Sequence, residues 1–182
     1  DHVAAVFSLG YGYRILGRIA FPIYCFLLTE GVEHTQNPRN YGIRLMIGMI
    51  LSELPFDLAF SGGWNLRDQS VMLTLLLGFL ALEGMRKTER VFLKMLIAVP
   101  FALTAELMET DYGGMGVLLI VLFALTREVD SIWPLALGML CIFYGMNSLR
   151  IPMFGIRIPI ELFAIGALLP ISLYSGQKRP HS

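Results

Sequence analysis

Two apolar runs in this chain carry carboxylates where a buried or lipid-facing helix tolerates them least, and that conflict limits the folds open to it. Gly17–Gly31 and Leu45–Phe60 are each nearly long enough to be a membrane span, yet Glu30, Glu53 and Asp57 sit at or inside their ends. A carboxylate at the centre of a bilayer helix costs about 2.5–3.5 kcal/mol on insertion scales, so these groups need partners or a use. Arg18, His34, Arg39 and Arg44 lie close in sequence and supply candidate partners. The pattern predicts a polar cavity inside a helical bundle, with the remaining helices as its walls.

Composition agrees with a lipid environment. The chain is 55% hydrophobic and 15% charged, with a mean hydropathy of +0.65, whereas a soluble domain is about a quarter charged. Its formal charge of zero leaves no basic stripe for nucleic acid. Cys25 and Cys141 both fall in apolar runs without a CxxC or a suitably spaced histidine, so they read as buried thiols and no metal is expected. Asp1-His2 followed by VAAVF reads as the outer half of a helix that begins earlier, truncated at Asp1.

Hydropathy and turn signals predict an all-α integral membrane protein, a single domain over 1–182 with about seven to eight transmembrane helices. After the remnant His2–Leu9 and a loop at Gly10-Tyr-Gly12, the expected spans are Ile15–Gly31, Ile43–Phe60, Gln69–Gly84, Val91–Leu107, Gly113–Thr126, Ile132–Ser148 and Ile158–Tyr174. Asn37-Pro38 marks a turn in a Val32–Tyr41 loop, Pro55 interrupts the second span, and Trp64 is a candidate interfacial anchor. Gly113–Thr126 falls short of the roughly 20 residues of a straight span, which predicts non-helical backbone at Asp111–Gly116 lining the cavity. One end of the bundle collects Arg39, Arg44, Arg86, Lys87, Arg90, Lys94, Arg127, Lys178 and Arg179, and the other Arg14, Arg18, Arg67, Arg150 and Arg157. The positive-inside tendency makes the first end cytoplasmic, with the C-terminus inside and Asp1 facing outward.

Several residues have chemistry to offer. His2 is a candidate general base beside Asp1, since imidazole exchanges protons near neutrality. Glu30 and His34 share a helix face at spacing four, as do Glu53 and Asp57, whose paired carboxylates share a proton or recruit a cation such as Arg18 or Arg44. Glu106, Glu109, Asp111 and Glu161 form a further group of expected cavity carboxylates. The loop from Arg86 to Arg90, with Lys94, reads either as a receiver for a phosphate-bearing ligand or as a topology signal at anionic headgroups. No P-loop, GxSxG, HExxH or GxGxxG is present.

Taken in order, Asp1-His2, Gly17-Arg18-x-Ala-Phe-Pro22, Glu30-Gly31 with His34-Thr35, Tyr41 with Arg44-Leu45, Ser52-Glu53-x-Pro-Phe-Asp57, Asp111-Tyr-Gly113 with Gly116-Val117, and Glu161-Leu-Phe-Ala164 closing on Tyr174-x-Gly176 resemble the TraX family over essentially the whole chain. That resemblance implies N-terminal acetylation of pilin subunits and a relation to multi-spanning membrane acyltransferases. It casts His2 and Asp1 as catalytic, the family's preceding basic residue lying before Asp1, and Arg18 as the cation steadying the oxyanion. Glu30, His34, Arg44, Glu53, Asp57 and Asp111 follow as substrate or acetyl-CoA residues. The implied partners are acetyl-CoA, entering from the basic side, an amine acceptor (a pilin N-terminus, an amino sugar or a small amine), and the lipid bilayer of the cytoplasmic membrane. Self-association as a homodimer is compatible with it. From the residues alone, a small transporter or channel and a non-catalytic membrane scaffold remain alternatives.

Overall fold

The computed structural model describes residues 11–60, 70–127, 129, 132–145, 150–153 and 156–174, with 11–16, 53–60, 145, 150–153, 156–158 and 161 described by backbone alone. Among them, helices α1 (Tyr11–His34), α2 (Pro38–Phe60), α3 (Val71–Met85), α4 (Val91–Leu107), α5 (Gly113–Thr126) and α6 (Trp133–Gly145) are followed by strands β1 (Arg150–Met153) and β2 (Ile156–Pro159), a 3₁₀ segment (Ile160–Ala167) and α7 (Leu168–Leu173).

Helix α1 buries Phe21, Pro22, Cys25, Leu28, Thr29 and Val32, a spacing of three and four that is one face of a helix. Pro22 lies in its interior and has no amide proton, so the carbonyl of Arg18 lacks its usual donor one turn on. A three-residue link leads to α2, where Asn37 Oδ1 accepts the backbone N–H of Asn40 at 3.1 Å and Pro38 takes the first helical position. Asn37-Pro38 is therefore a cap rather than the middle of a loop.

Helix α3 is the centre of the bundle, packing against α1, α2, α4 and α5. It buries residues on most of its circumference, from Leu73 to Met85, as a helix apolar all round must. Gly78 makes room for Ile120 of α5, and Gly138 of α6 makes room for Leu122. The core runs through Phe21, Cys25, Leu28, Phe79, Leu82, Leu119, Ile120, Phe123, Met139 and Phe143. Helix α4 closes one side and buries only Ala98 and Ala105, presenting Phe92, Leu96, Val99, Leu103 and Leu107 outward. Its Pro100 carbonyl is taken by the Thr104 hydroxyl at 2.8 Å.

Several expectations need correction. The Gly10-Tyr-Gly12 loop is not one at its described end, because α1 starts at Tyr11, so Arg14 and Arg18 are on a helix. Asp111–Gly116 is not an extended stretch: only Asp111 and Tyr112 form a turn, and Gly113–Gly116 is already helical. The last expected span, Ile158–Tyr174, is instead the end of an antiparallel hairpin (Arg150 opposite Pro159, Met153 opposite Ile156), the 3₁₀ segment and the short α7. Pro159 and Pro170 within that span disfavour one continuous helix there, and Ile151, Ile156 and Ile158 favour the strands that lead into it. Cys25 is buried as expected, but Cys141 is exposed on α6.

Among the described residues no helix is long and apolar enough to cross a membrane. The long helices, α1 and α2 with 24 and 23 residues, carry Arg18, Glu30, Glu33, Arg39 and Arg44. The most apolar ones, α3 and α5 with 15 and 14 residues, reach only ~21–23 Å at 1.5 Å per residue, against a ~30 Å hydrocarbon core. Residues 61–69, including Trp64 and Arg67, lie outside the described residues.

Candidate functional site

The described charged groups form two clusters at different levels of α1. Arg18 and Glu30 are twelve residues apart on that helix, ~18 Å along its axis, so the two expected in one shared pocket stand in separate clusters.

At the first level, the Arg18 guanidinium carbon lies 5.5 Å from the ring centre of Tyr112. Tyr112 stacks on Phe21 with ring centres 3.5 Å apart and planes within 8°. Burial pushes the Tyr112 hydroxyl up to about 12, partly opposed by the Arg18 charge. Beside it the Thr74 hydroxyl donates to Thr110 Oγ1 at 2.9 Å, with both side chains buried. A further pair, Ser52 and Ser70 at 3.1 Å, ties α2 to the start of α3.

The turn that delivers Tyr112 has an identifiable construction. Glu109 and Gly113 take left-handed backbone, with φ of 50° and 53°, a conformation that costs glycine little. Glu106 Oε2 accepts the N–H of Gly114 at 2.8 Å and so caps α5. Glu106 and Glu109 are exposed, which removes them from the expected cavity carboxylates, and Asp111 is half-buried next to Tyr112. Gly116 admits the cluster: a β-carbon there would stand 2.6 Å from Thr74 Cγ2 and 2.7 Å from Tyr112 Cβ.

At the second level, the ends of α1, α3 and α5 and the start of α4 meet. Arg127 donates from Nε to Glu30 Oε1 at 2.8 Å, and its Nη1 lies 3.5 Å from Glu33 Oε1. Arg86 Nη1 donates to Glu83 at 3.0 Å and to the Val32 carbonyl at 3.5 Å. Lys94 and Glu89 form a looser pair at 3.8 Å. His34 Nδ1 is 2.9 Å from the Glu30 carbonyl oxygen and 3.7 Å from Glu30 Oε2, so the expected Glu30–His34 contact exists but is secondary to Arg127. Between these groups lies a cavity of about 330 Å³, with Thr29, Val32, Glu33, Arg86, Lys94 and Arg127 in its wall.

Of the other residues singled out, Arg39 and Arg44 are exposed on α2. Asp1 and His2 lie outside the described residues; Glu53 and Asp57 are placed by backbone in the last turns of α2, and Glu161 at the start of the 3₁₀ segment. Among the described residues no group of three or more His, Cys, Asp or Glu could hold a metal ion. Thr74 and Thr110 carry no charge or motif, Tyr112 stands in the sequence only as the middle of Asp111-Tyr-Gly113, and Arg127 reads there as a topology signal; its partner is 97 residues away in sequence.

No solved structure matches this chain. It is 29% identical over 126 residues, 62% of its own length and 51% of the relative's, to a protein of Dichelobacter nodosus described as a probable fimbrial assembly protein FimC, serogroup H1. The chain thus spans about half the length of that relative. Because the family model of the TraX protein matches residues 1–181, the chain belongs to the TraX family.

Proposed function

We propose that this chain is the core of a membrane-embedded acetyltransferase, serving pilus or fimbrial assembly, that moves an acetyl group from cytoplasmic acetyl-CoA to an amine acceptor such as a pilin N-terminus. The observation that carries this reading is the arrangement along α1: a cation, Arg18, set against the buried Tyr112–Phe21 stack at one level, and a cavity lined by Arg86, Lys94 and Arg127 about half the helix away at the other. Acyl transfer from a thioester needs both a charge to steady the oxyanion and a place for a highly charged donor. Membership of the TraX family and the likeness to a probable fimbrial assembly protein supply the acceptor class.

The chemistry is an attack of the neutral amine on the thioester carbonyl. A C–N bond forms and the carbonyl electrons move to oxygen, where Arg18 stabilises the charge. The tetrahedral intermediate then collapses with loss of the C–S bond, the thiolate leaving to become the CoA thiol, while the proton shed by nitrogen passes to a base. His2, next to Asp1 in sequence, is the assigned base. A free α-amine with a pKa near 8 is partly neutral at pH 7, so one base suffices.

Placement in the bilayer is supported by the large apolar side chains exposed on α4 (Phe92, Leu96, Leu103, Leu107) and on α2 (Ile47, Ile50, Leu51). Nine of the fourteen Lys and Arg residues assigned to one end make that end cytoplasmic. Membranes containing the chain, incubated with isotopically labelled acetyl-CoA and candidate acceptors, should give an acceptor heavier by one labelled acetyl group in mass spectrometry. His2→Ala should abolish that product while the protein still accumulates. Label-independent flux of a solute through liposomes, with no CoA released, would replace this reading by a transporter.

A further inference from the structure

We infer that the cavity between α1, α3, α4 and α5 binds the phosphate-bearing nucleotide end of the acyl donor, through Arg86, Lys94 and Arg127. Glu30 acts there as the residue that positions Arg127. This rests on the acetyl-donor reading above and narrows it to one place at the basic end of the bundle.

Three observations converge. First, Arg86 and Lys94 on either side of the turn between α3 and α4, and Arg127 just after α5, line one cavity of about 330 Å³. Second, the cavity sits at the N-terminus of the 17-residue α4. Val91, Phe92 and Leu93 precede the Lys94 amide, which bonds the Arg90 carbonyl, and their own N–H groups point out of that end. Helix N-termini favour anions, and here the cations and the cavity share the same place.

Third, the carboxylates at this end are of two kinds. Glu30, with a side chain 15% exposed, takes Arg127 Nε at 2.8 Å and fixes the guanidinium in place. Glu33 and Glu89, 54% and 96% exposed, stand off at 3.5 and 3.8 Å. Guanidinium has five N–H donors, and Glu30 engages the Nε side, so the Nη groups remain for a ligand that displaces Glu33. The loose pairs act as placeholders for phosphate oxygens, and the close ones, Glu30 on Arg127 and Glu83 on Arg86 at 3.0 Å, hold the geometry. A donor seated here directs its long pantetheine arm along α1, where Arg18 is eleven residues before Thr29, ~16 Å away.

The test is equilibrium binding of radiolabelled coenzyme A to the full chain in detergent or liposomes, with pantetheine, which lacks phosphate, as the comparison ligand. Lys94→Gln and Arg127→Gln should each weaken coenzyme A about tenfold, the scale of one lost charge-assisted bond, and leave pantetheine unchanged. Glu33→Gln should tighten coenzyme A about two- to threefold, because it removes a competitor for Arg127. If Arg127→Gln fails to fold through loss of the α1–α5 tie, the Lys94→Gln and Glu33→Gln pair decides. Affinities within twofold of the unmodified chain for both, or no coenzyme A binding by the unmodified chain, would overturn the site. Acetyl transfer with unaltered affinities in these variants would overturn the site and leave the acetyltransferase standing. Charge-dependent coenzyme A binding without transfer to any amine would do the reverse.

Discussion

Arg18 and Arg127 are both arginines held against α1-centred packing, but they are held in different ways. Arg18 lies against an aromatic ring that is itself buried and stacked, in a cluster that includes the buried Thr74 and Thr110 hydroxyls and the half-buried Asp111. Arg127 is gripped by carboxylates at a partly open end beside a cavity. The first setting packs a cation against a buried ring, which suits charge stabilisation during a reaction. The second lets ionic partners exchange, which suits taking up and releasing an anion. One chain thus separates rigid from exchangeable positive charge by the length of half a helix.

The largest expected contrast is kinetic. Arg18→Ala should lower acetyl transfer about 10²- to 10³-fold with little change in acetyl-CoA KM, whereas Arg127→Gln should raise KM about tenfold with kcat retained; steady-state kinetics on reconstituted protein separates the two. Equal effects on kcat would erase the distinction between the levels.

The packing should differ as well. Gly116→Ala at the Arg18 level places a methyl 2.7 Å from Tyr112 Cβ, next to backbone that cannot retreat, and should cost about 2–3 kcal/mol of stability. Gly31→Ala at the Arg127 level meets only the tip of Tyr41, a half-buried side chain that can swing away, and should cost under about 1 kcal/mol. Thermal unfolding in detergent checks the ranking.

A pH signature belongs to the Arg18 level. Burial raises the Tyr112 hydroxyl from 10.0 to about 12, so the folded protein holds this proton more tightly than the unfolded chain. That contribution, about 2–3 kcal/mol, is complete below pH 10 and is lost as the pH climbs toward 12. Tyr112→Phe should flatten this part of the stability profile measured by denaturant titration. A comparably small effect belongs to Glu30→Gln, which should destabilise by about 1 kcal/mol, because the Glu30–Arg127 pair is only partly buried. Its clearer consequence is an Arg127 less well placed for coenzyme A.

Helix locations were largely legible from hydropathy. Val91–Leu107 and Gly113–Thr126 were expected with the bounds they have, because each is an apolar run closed by charged or glycine-containing turns. The ends of α1 and the region after Gly145 were not legible. Gly10 and Gly12 look like a loop in isolation, yet Gly12 is carried in a helix; Ile158–Tyr174 has span-like hydropathy but pairs as a strand and winds as 3₁₀. Hydropathy reports how apolar a segment is, not which hydrogen bonds it makes.

The residue types alone established an apolar, helical chain with carboxylates and arginines in places that demand partners, and an ordered set of short motifs places it in the TraX family. Which partner each charge takes was decided only by the fold. Glu30 is adjacent in sequence to several candidates and pairs most closely with Arg127, 97 residues away, while Arg18 rests on Tyr112, which no charge pattern marks. The reason is geometric: helical periodicity fixes neighbours three and four residues apart, but contacts between helices depend on where glycines such as Gly78 and Gly116 let the backbones approach.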